Sequence, residues 1–148
     1  MYKHLLIATD GSDLAEKGVD QGLEIARLLG AKVTVLTVTE PLGFAAIESA
    51  AIGGVKDPIG LYEQQMDERV DGIGKSVQSR AASLGVMVEI ARETDEVPAE
   101  AIVRTAKREG CDLIVMSSHG RRGIQKVLLG SQTSEVLVKT TIPVLVIR

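Results

Sequence analysis

The chain has 148 residues, 25% of them charged and 45% hydrophobic, with a formal net charge of -3. That length buries one sizeable core and leaves little for a second, and the acidic balance excludes the basic face that a nucleic-acid surface needs. A lone Cys111 excludes an internal disulfide, while the absence of Trp and the single Phe44 exclude a base-stacking platform.

Nor does any apolar run approach the about 20 residues needed to cross a bilayer. The N-terminal run Leu5-Leu6-Ile7-Ala8 is too short for a signal peptide and enters Thr9-Asp10. A soluble cytoplasmic protein of one domain, residues 1–148, is the expectation.

The first predicted strand, His4–Thr9, leads through Asp10-Gly11 to a helix over Asp13–Leu29. There Ala15, Val19, Gly22, Ala26 and Leu29 recur at spacings of 4, 3, 4 and 3. Ser12 or Asp13 suits its N-cap, and Gly30 is the stop signal. A second strand, Lys32–Val38, precedes Glu40–Asp57, an Ala- and Gly-rich stretch that reads as a long loop. Such a loop either covers a site at the second strand's end or is disordered. A helix from Pro58 to Leu84 carries Met66, Val70, Ile73, Val77 and Leu84 on one face and exits at Gly85. The strand Met87–Arg92, a helix from Pro98 to Gly110 and the strand Asp112–Ser117 follow, with Cys111 as a small core residue. A helix over Ser131–Lys139, then Pro143, leads to the last strand, Val144–Ile147.

The strand runs are almost unbroken in Val, Ile and Leu, as in parallel sheets covered on both faces. Strand–helix alternation gives an α/β fold, a three-layer α/β/α sandwich. Ligands of such sheets bind at loops leaving the carboxyl ends of strands, at the switch point. The first strand ends in Ala8-Thr9-Asp10-Gly11-Ser12, and the fourth runs through Met116-Ser117 into His119-Gly120. Asp10 suits ribose hydroxyls or a divalent cation near phosphates, or an N-cap. Thr9 and Ser12 have hydroxyls that often bond only locally, and His119 is either a phosphate donor or a turn residue. Bare backbone at Gly130 and the Ser131 hydroxyl, at a helix start, form an anion cradle. Arg121, Arg122 and Lys126 either add phosphate charge or form a solvated loop face. His4, on the opposite rim, has no assigned role.

These residues together resemble the universal stress protein family over essentially the whole chain. The likeness rests on Ile7-Ala8-Thr9-Asp10-Gly11-Ser12, Cys111-Asp112-Leu113-Ile114-Val115-Met116, Ser118-His119-Gly120-Arg121, Leu129-Gly130-Ser131 and Pro143-Val144-Leu145-Val146-Ile147. The family's ATP-binding branch is marked by a glycine, two residues, a glycine, nine residues, then glycine and Ser or Thr. Gly120, nine residues and Gly130-Ser131 fit, whereas Ser117 stands at the first glycine position.

The resemblance implies a Rossmann-like, HUP-type sheet of five parallel strands in the order 3-2-1-4-5, and a homodimer through Val144–Ile147. An exposed apolar edge invites such a partner. The nucleotide site would be lined by Ala8, Thr9, Asp10 and Ser12, with Val38 against adenine. Met116, Ser117, His119, Gly120, Gly130, Ser131, Gln132 and Thr133 would surround ribose and phosphates. Mg²⁺ or Mn²⁺ would be held mostly by phosphate oxygens and water.

An ATP-binding stress or signalling protein, whose nucleotide state alters dimer or partner contacts, is the reading that follows. No activated nucleophile or general base stands out, so any hydrolysis or autophosphorylation would be slow. The alternatives are a non-nucleotide interaction module of the same fold, or a slow ATP hydrolase or phosphotransfer enzyme.

Overall fold

Strand and helix alternate along the chain in the computed structural model, which describes residues 1–120 and 128–148. In order they are β1 (His4–Ala8), α1 (Asp13–Leu29), β2 (Lys32–Thr39), α2 (Phe44–Ile52), α3 (Pro58–Leu84), β3 (Val88–Thr94), α4 (Pro98–Arg108), β4 (Leu113–Ser117), α5 (Ser131–Lys139) and β5 (Val144–Ile147). The five strands form one parallel sheet in the order β3-β2-β1-β4-β5, as the resemblance implies. After β1 the chain builds β2 and β3 on one side, then returns to β1's other side for β4. The order therefore reverses between β1 and β4, which places the switch-point crevice at their carboxyl ends.

Successive side chains of a strand point to opposite faces, and the core divides accordingly. Leu5, Ile7, Val33, Val35, Leu113 and Val115 pack under Val19, Leu23 and Ala26 of α1 and Val77 and Ala81 of α3. Leu6, Leu36, Ile114 and Met116 pack on the other face against Ala99, Ile102, Val103 and Ala106 of α4 and Val136 of α5. The central strands β1 and β4 are thus covered on both faces. The outer strands differ from the expectation, because most residues of β3 and β5 are only half-buried. An edge strand has a neighbour on one side and less helix above it.

The segment 40–57 also differs from its reading as a loop, since Phe44–Ile52 is helical. Its sequence, FAAIESAAI, has no amphipathic stripe, and Gly43 at its N-cap provides no side-chain acceptor. The helix buries none of its residues and leaves Phe44 80% and Ile52 83% exposed. Its neighbour is α3, whose Tyr62 hydroxyl donates to the Glu40 carbonyl at 2.6 Å.

At the amino ends of the strands, His4 is a structural pin. Its ring is buried, with Nδ1 3.1 Å from the Glu109 carbonyl and Nε2 2.8 Å from Thr34 Oγ1. A carbonyl only accepts, so Nδ1 carries the proton and Nε2 accepts from the hydroxyl. The Asp112 carboxylate accepts from the Lys3 and His4 amides at 2.9 and 3.1 Å, closing the same rim. Cys111 beside it is a buried core thiol, pushed up by burial to about 11.

Burial, aided by the nearby Lys32 charge, lowers the His4 pKa below its ordinary value. The unfolded chain then binds more protons than the folded one between the folded pKa and the ordinary value near 6.5. Stability is complete above that window and is lost as pH falls through it. Urea unfolding at pH 7.5 and below pH 6.5 is expected to show a larger loss for the wild type than for His4→Asn. Equal losses would remove His4 as the titrating group.

Candidate functional site

β1 ends at Ala8, and the ladder persists one step further, with the Thr9 amide donating to the Leu36 carbonyl at 3.0 Å. The next residues form a turn held by their own side chains. Thr9 Oγ1 accepts from the Gly11 amide at 3.1 Å, and Asp10 Oδ1 accepts from the Ser12 amide at 3.0 Å. Ser12 Oγ then accepts from the Ala15 amide at 3.3 Å, so Ser12 is the N-cap of α1 and Asp10 is left to the turn. Gly11 has φ +77°, so its conformation selects glycine, and a Cβ there would lie 2.9 Å from the movable tip of Ile73, Cδ1.

β4 ends at Ser117, which stands in register with Ile147. Ser117 is therefore a ladder residue in extended backbone and needs no glycine at that position. Its hydroxyl donates to the His119 carbonyl at 2.7 Å, and Ser118 Oγ pairs with His119 Nδ1 at 3.0 Å. The Gly130 amide returns to the Ser118 carbonyl at 2.7 Å. Buried Thr133 donates its hydroxyl to the carbonyls of Ser117 and Ser118 at 2.9 and 3.3 Å. The start of α5 is thereby fastened beneath the β4 tip. Gly130 gives α5 no side-chain cap, and the first turn of α5 has no acidic residue. That end keeps the positive field of a helix N-terminus.

The two tips touch. A Cβ added at Gly120 would lie 3.0 Å from Asp10 Oδ2. One added at Gly130 would lie 3.1 Å from the Ser118 carbonyl oxygen and 3.4 Å from His119 Cα. Gly130 is thus fixed by close approach to a neighbouring backbone, and Gly120 lies close to a carboxylate.

Thr9, Asp10, Ser12, Ser117, His119, Gly120, Gly130 and Ser131 accordingly share one end of the sheet. Ala8 and Val38 are partly buried against the core on the α4–α5 face, and Met116 is buried within it. Gln132 Oε1 accepts from the Ala99 amide at 2.8 Å, so its side-chain oxygen is engaged at the start of α4. The Thr133 hydroxyl is likewise engaged beneath the loop. Arg121, Arg122 and Lys126, the candidates for phosphate charge, lie outside the described residues. Among the described residues no cluster of three His, Cys, Asp or Glu side chains is placed to hold a metal.

One residue at the site escaped the sequence reading. Arg69 of α3 sends Nη2 to the Asp10 carbonyl, 2.7 Å away. The signal was its position, one turn before Ile73 and three residues after Met66 on the apolar side of the helix, where a charged residue needs a polar destination.

A doubly wound parallel sheet in the order β3-β2-β1-β4-β5, with its switch-point crevice at the β1 and β4 tips, defines a Rossmann-like α/β protein. The model of the universal stress protein family matches residues 1–148, and the chain belongs to that family. It is 30% identical over 155 residues to universal stress protein YxiE of Bacillus subtilis, covering 100% of both chains. The solved structure of MJ0577 of Methanocaldococcus jannaschii superposes with a TM-score of 0.81 at 28% identity, covering 99% of this chain and 96% of that one. The universal stress protein from Archaeoglobus fulgidus in complex with dAMP gives a TM-score of 0.66 at 25% identity, covering 99% and 98%.

The glycine geometry has an energetic consequence. Gly130→Ala forces a methyl against backbone that cannot swing aside, and should destabilise by about 1–3 kcal/mol. Gly72→Ala, on α3 with open space around it, should instead stabilise by about 0.5–1 kcal/mol. Urea midpoints of the two variants measure this, and a stabilised Gly130→Ala would contradict the close approach.

Proposed function

We propose that this chain binds an adenine nucleotide, ATP foremost, at the crevice between the β1 and β4 tips, and that its nucleotide state alters a contact with a partner. The observation that carries this reading is the meeting of Asp10 Oδ2 with Gly120, above an α5 terminus whose N-cap, Gly130, has no side chain. A carboxylate beside bare main-chain donors suits a ligand with hydroxyls at one end and an anion at the other. The dAMP complex of the Archaeoglobus fulgidus relative supports the same ligand class.

In this reading adenine lies against Val38, and the Asp10 carboxylate accepts from ribose hydroxyls. The amides of Gly120 and Ser131, with the Ser131 hydroxyl, receive the phosphates beside the bare Cα of Gly130, whose own amide is held by the Ser118 carbonyl. Ser117 replaces glycine at the family's motif without obstruction, because it belongs to the β4 ladder. A Mg²⁺ or Mn²⁺ ion would neutralise phosphate charge there, held by phosphate oxygens and water with Asp10 as the nearby carboxylate. Any hydrolysis of the bound nucleotide would be slow, since no activated nucleophile stands out beside that cradle among the described residues.

The same reading includes a homodimer through β5. Its support is the position of Val144–Ile147 at the sheet's edge, together with Leu137 and Val138 of the preceding helix, which are 41% and 85% exposed.

Isothermal titration of the protein at high micromolar concentration with Mg-ATP is expected to release or absorb heat and saturate at one nucleotide per chain. No heat with ATP, ADP or AMP rejects the nucleotide reading. Light scattering on the same sample is expected to give twice the 15.7 kDa chain mass, and the chain mass alone would reject the dimer.

A further inference from the structure

We infer that Arg69 is a positioning residue for ribose recognition, acting through Asp10. The inference rests on the nucleotide reading above and deepens it.

β1's pairing with β2 runs from His4 opposite Lys32 to Ala8 opposite Leu36, so the Asp10 carbonyl lies beyond the ladder. The first backbone bond of α1 that leaves the turn is Glu16 to the Ser12 carbonyl, so the helix does not occupy the Asp10 carbonyl either. Arg69 takes it at 2.7 Å, from a helix 59 residues away in sequence. A guanidinium donor makes a charge-assisted bond, stronger than a neutral one, and its planar group fixes direction as well as distance.

Asp10 is consequently held on both sides of its Cα. The Thr9 amide is tied to Leu36 before it, and its own carbonyl is tied to Arg69 after it. With backbone fixed at both ends and Oδ1 turned to the Ser12 amide, Oδ2 is aimed toward Gly120 across the crevice. That aim is what a hydroxyl-reading carboxylate requires.

Attachment of α3 to the fold does not depend on this contact. Arg80 of α3 pairs with Glu16 and Asp20 of α1, and Arg92 of β3 pairs with Glu63 and Asp67 of α3. Those pairs hold the helix body, and Ile73 and Val77 pack it on the sheet. The bond from Arg69 to the Asp10 carbonyl adds a fastening at the turn itself.

The test compares wild type, Arg69→Met and Arg69→Lys by calorimetric titration with Mg-ATP and with 2′,3′-dideoxy-ATP, which lacks the hydroxyls that Asp10 would read. Circular dichroism melts monitor folding. Arg69→Met is expected to weaken ATP at least about tenfold and dideoxy-ATP far less, so that the wild-type preference for the hydroxylated ligand collapses. Arg69→Lys, retaining a charged donor, is expected to restore part of that preference. If Arg69→Met does not fold, Arg69→Gln is read by the same ratio. A variant that keeps the wild-type ratio, whether both affinities hold or both fall together, overturns the inference while leaving the nucleotide reading intact. No ATP heat from the wild type overturns both.

Discussion

Parallel pairing of β1 with β4, from Leu5 opposite Leu113 to Ile7 opposite Val115, sets the distance between two strand tips, and the crevice inherits it. That register is defended from both faces by fully buried Leu5, Leu6, Ile7, Ile114 and Val115, each contributing about 1.5–3 kcal/mol on burial. A slip of one residue would turn each strand's side chains to the wrong helix layer. It would also part Asp10 Oδ2 from Gly120, so core packing and site geometry are one constraint.

The connections around that pair explain how remote elements reach the crevice. α3 crosses behind the β1 turn, placing Ile73 under Gly11 and Arg69 on the Asp10 carbonyl. α5 is drawn under the β4 tip by Thr133 and by the Gly130 amide. The arginine pairs along α3 reach carboxylates that are mostly half-exposed, and such pairs contribute little stability. Their effect is to fix the helix's orientation over the sheet, which in turn decides where residue 69 arrives.

How much of this could be read from the sequence follows from whether the signal was local. The central strands were legible because burial on both faces demands unbroken apolar runs. α1 and α3 were legible from caps and spacing, their bounds falling at Asp13–Leu29 and Pro58–Leu84. Gly120 and Gly130 were legible as residues whose value is a missing side chain. α2 was not, because a short helix without a cap side chain or a polar face gives no period to detect. Gln132 and Thr133 were expected around the ligand through their place in the motif. Successive helix residues point about 100° apart, and the fold also bonds Gln132 Oε1 to the Ala99 amide and the Thr133 hydroxyl to the β4 tip, pairings that no local spacing announces. Arg69 was hidden for another reason, since its partner is a carbonyl brought near only by the folded crossover.

A nucleotide seated between the two tips would perturb their main-chain amides, and the most direct measurement watches those amides. In a ¹⁵N-labelled sample titrated with Mg-ATP, the largest shifts are predicted at Gly11, Ser12, Gly120, Gly130 and Ser131. The contrasting location is the apolar groove of about 420 Å³ on the opposite rim, between Met1, Leu28, Leu29 and Pro143. Shifts centred on that groove, with the tip amides unmoved, would contradict the account.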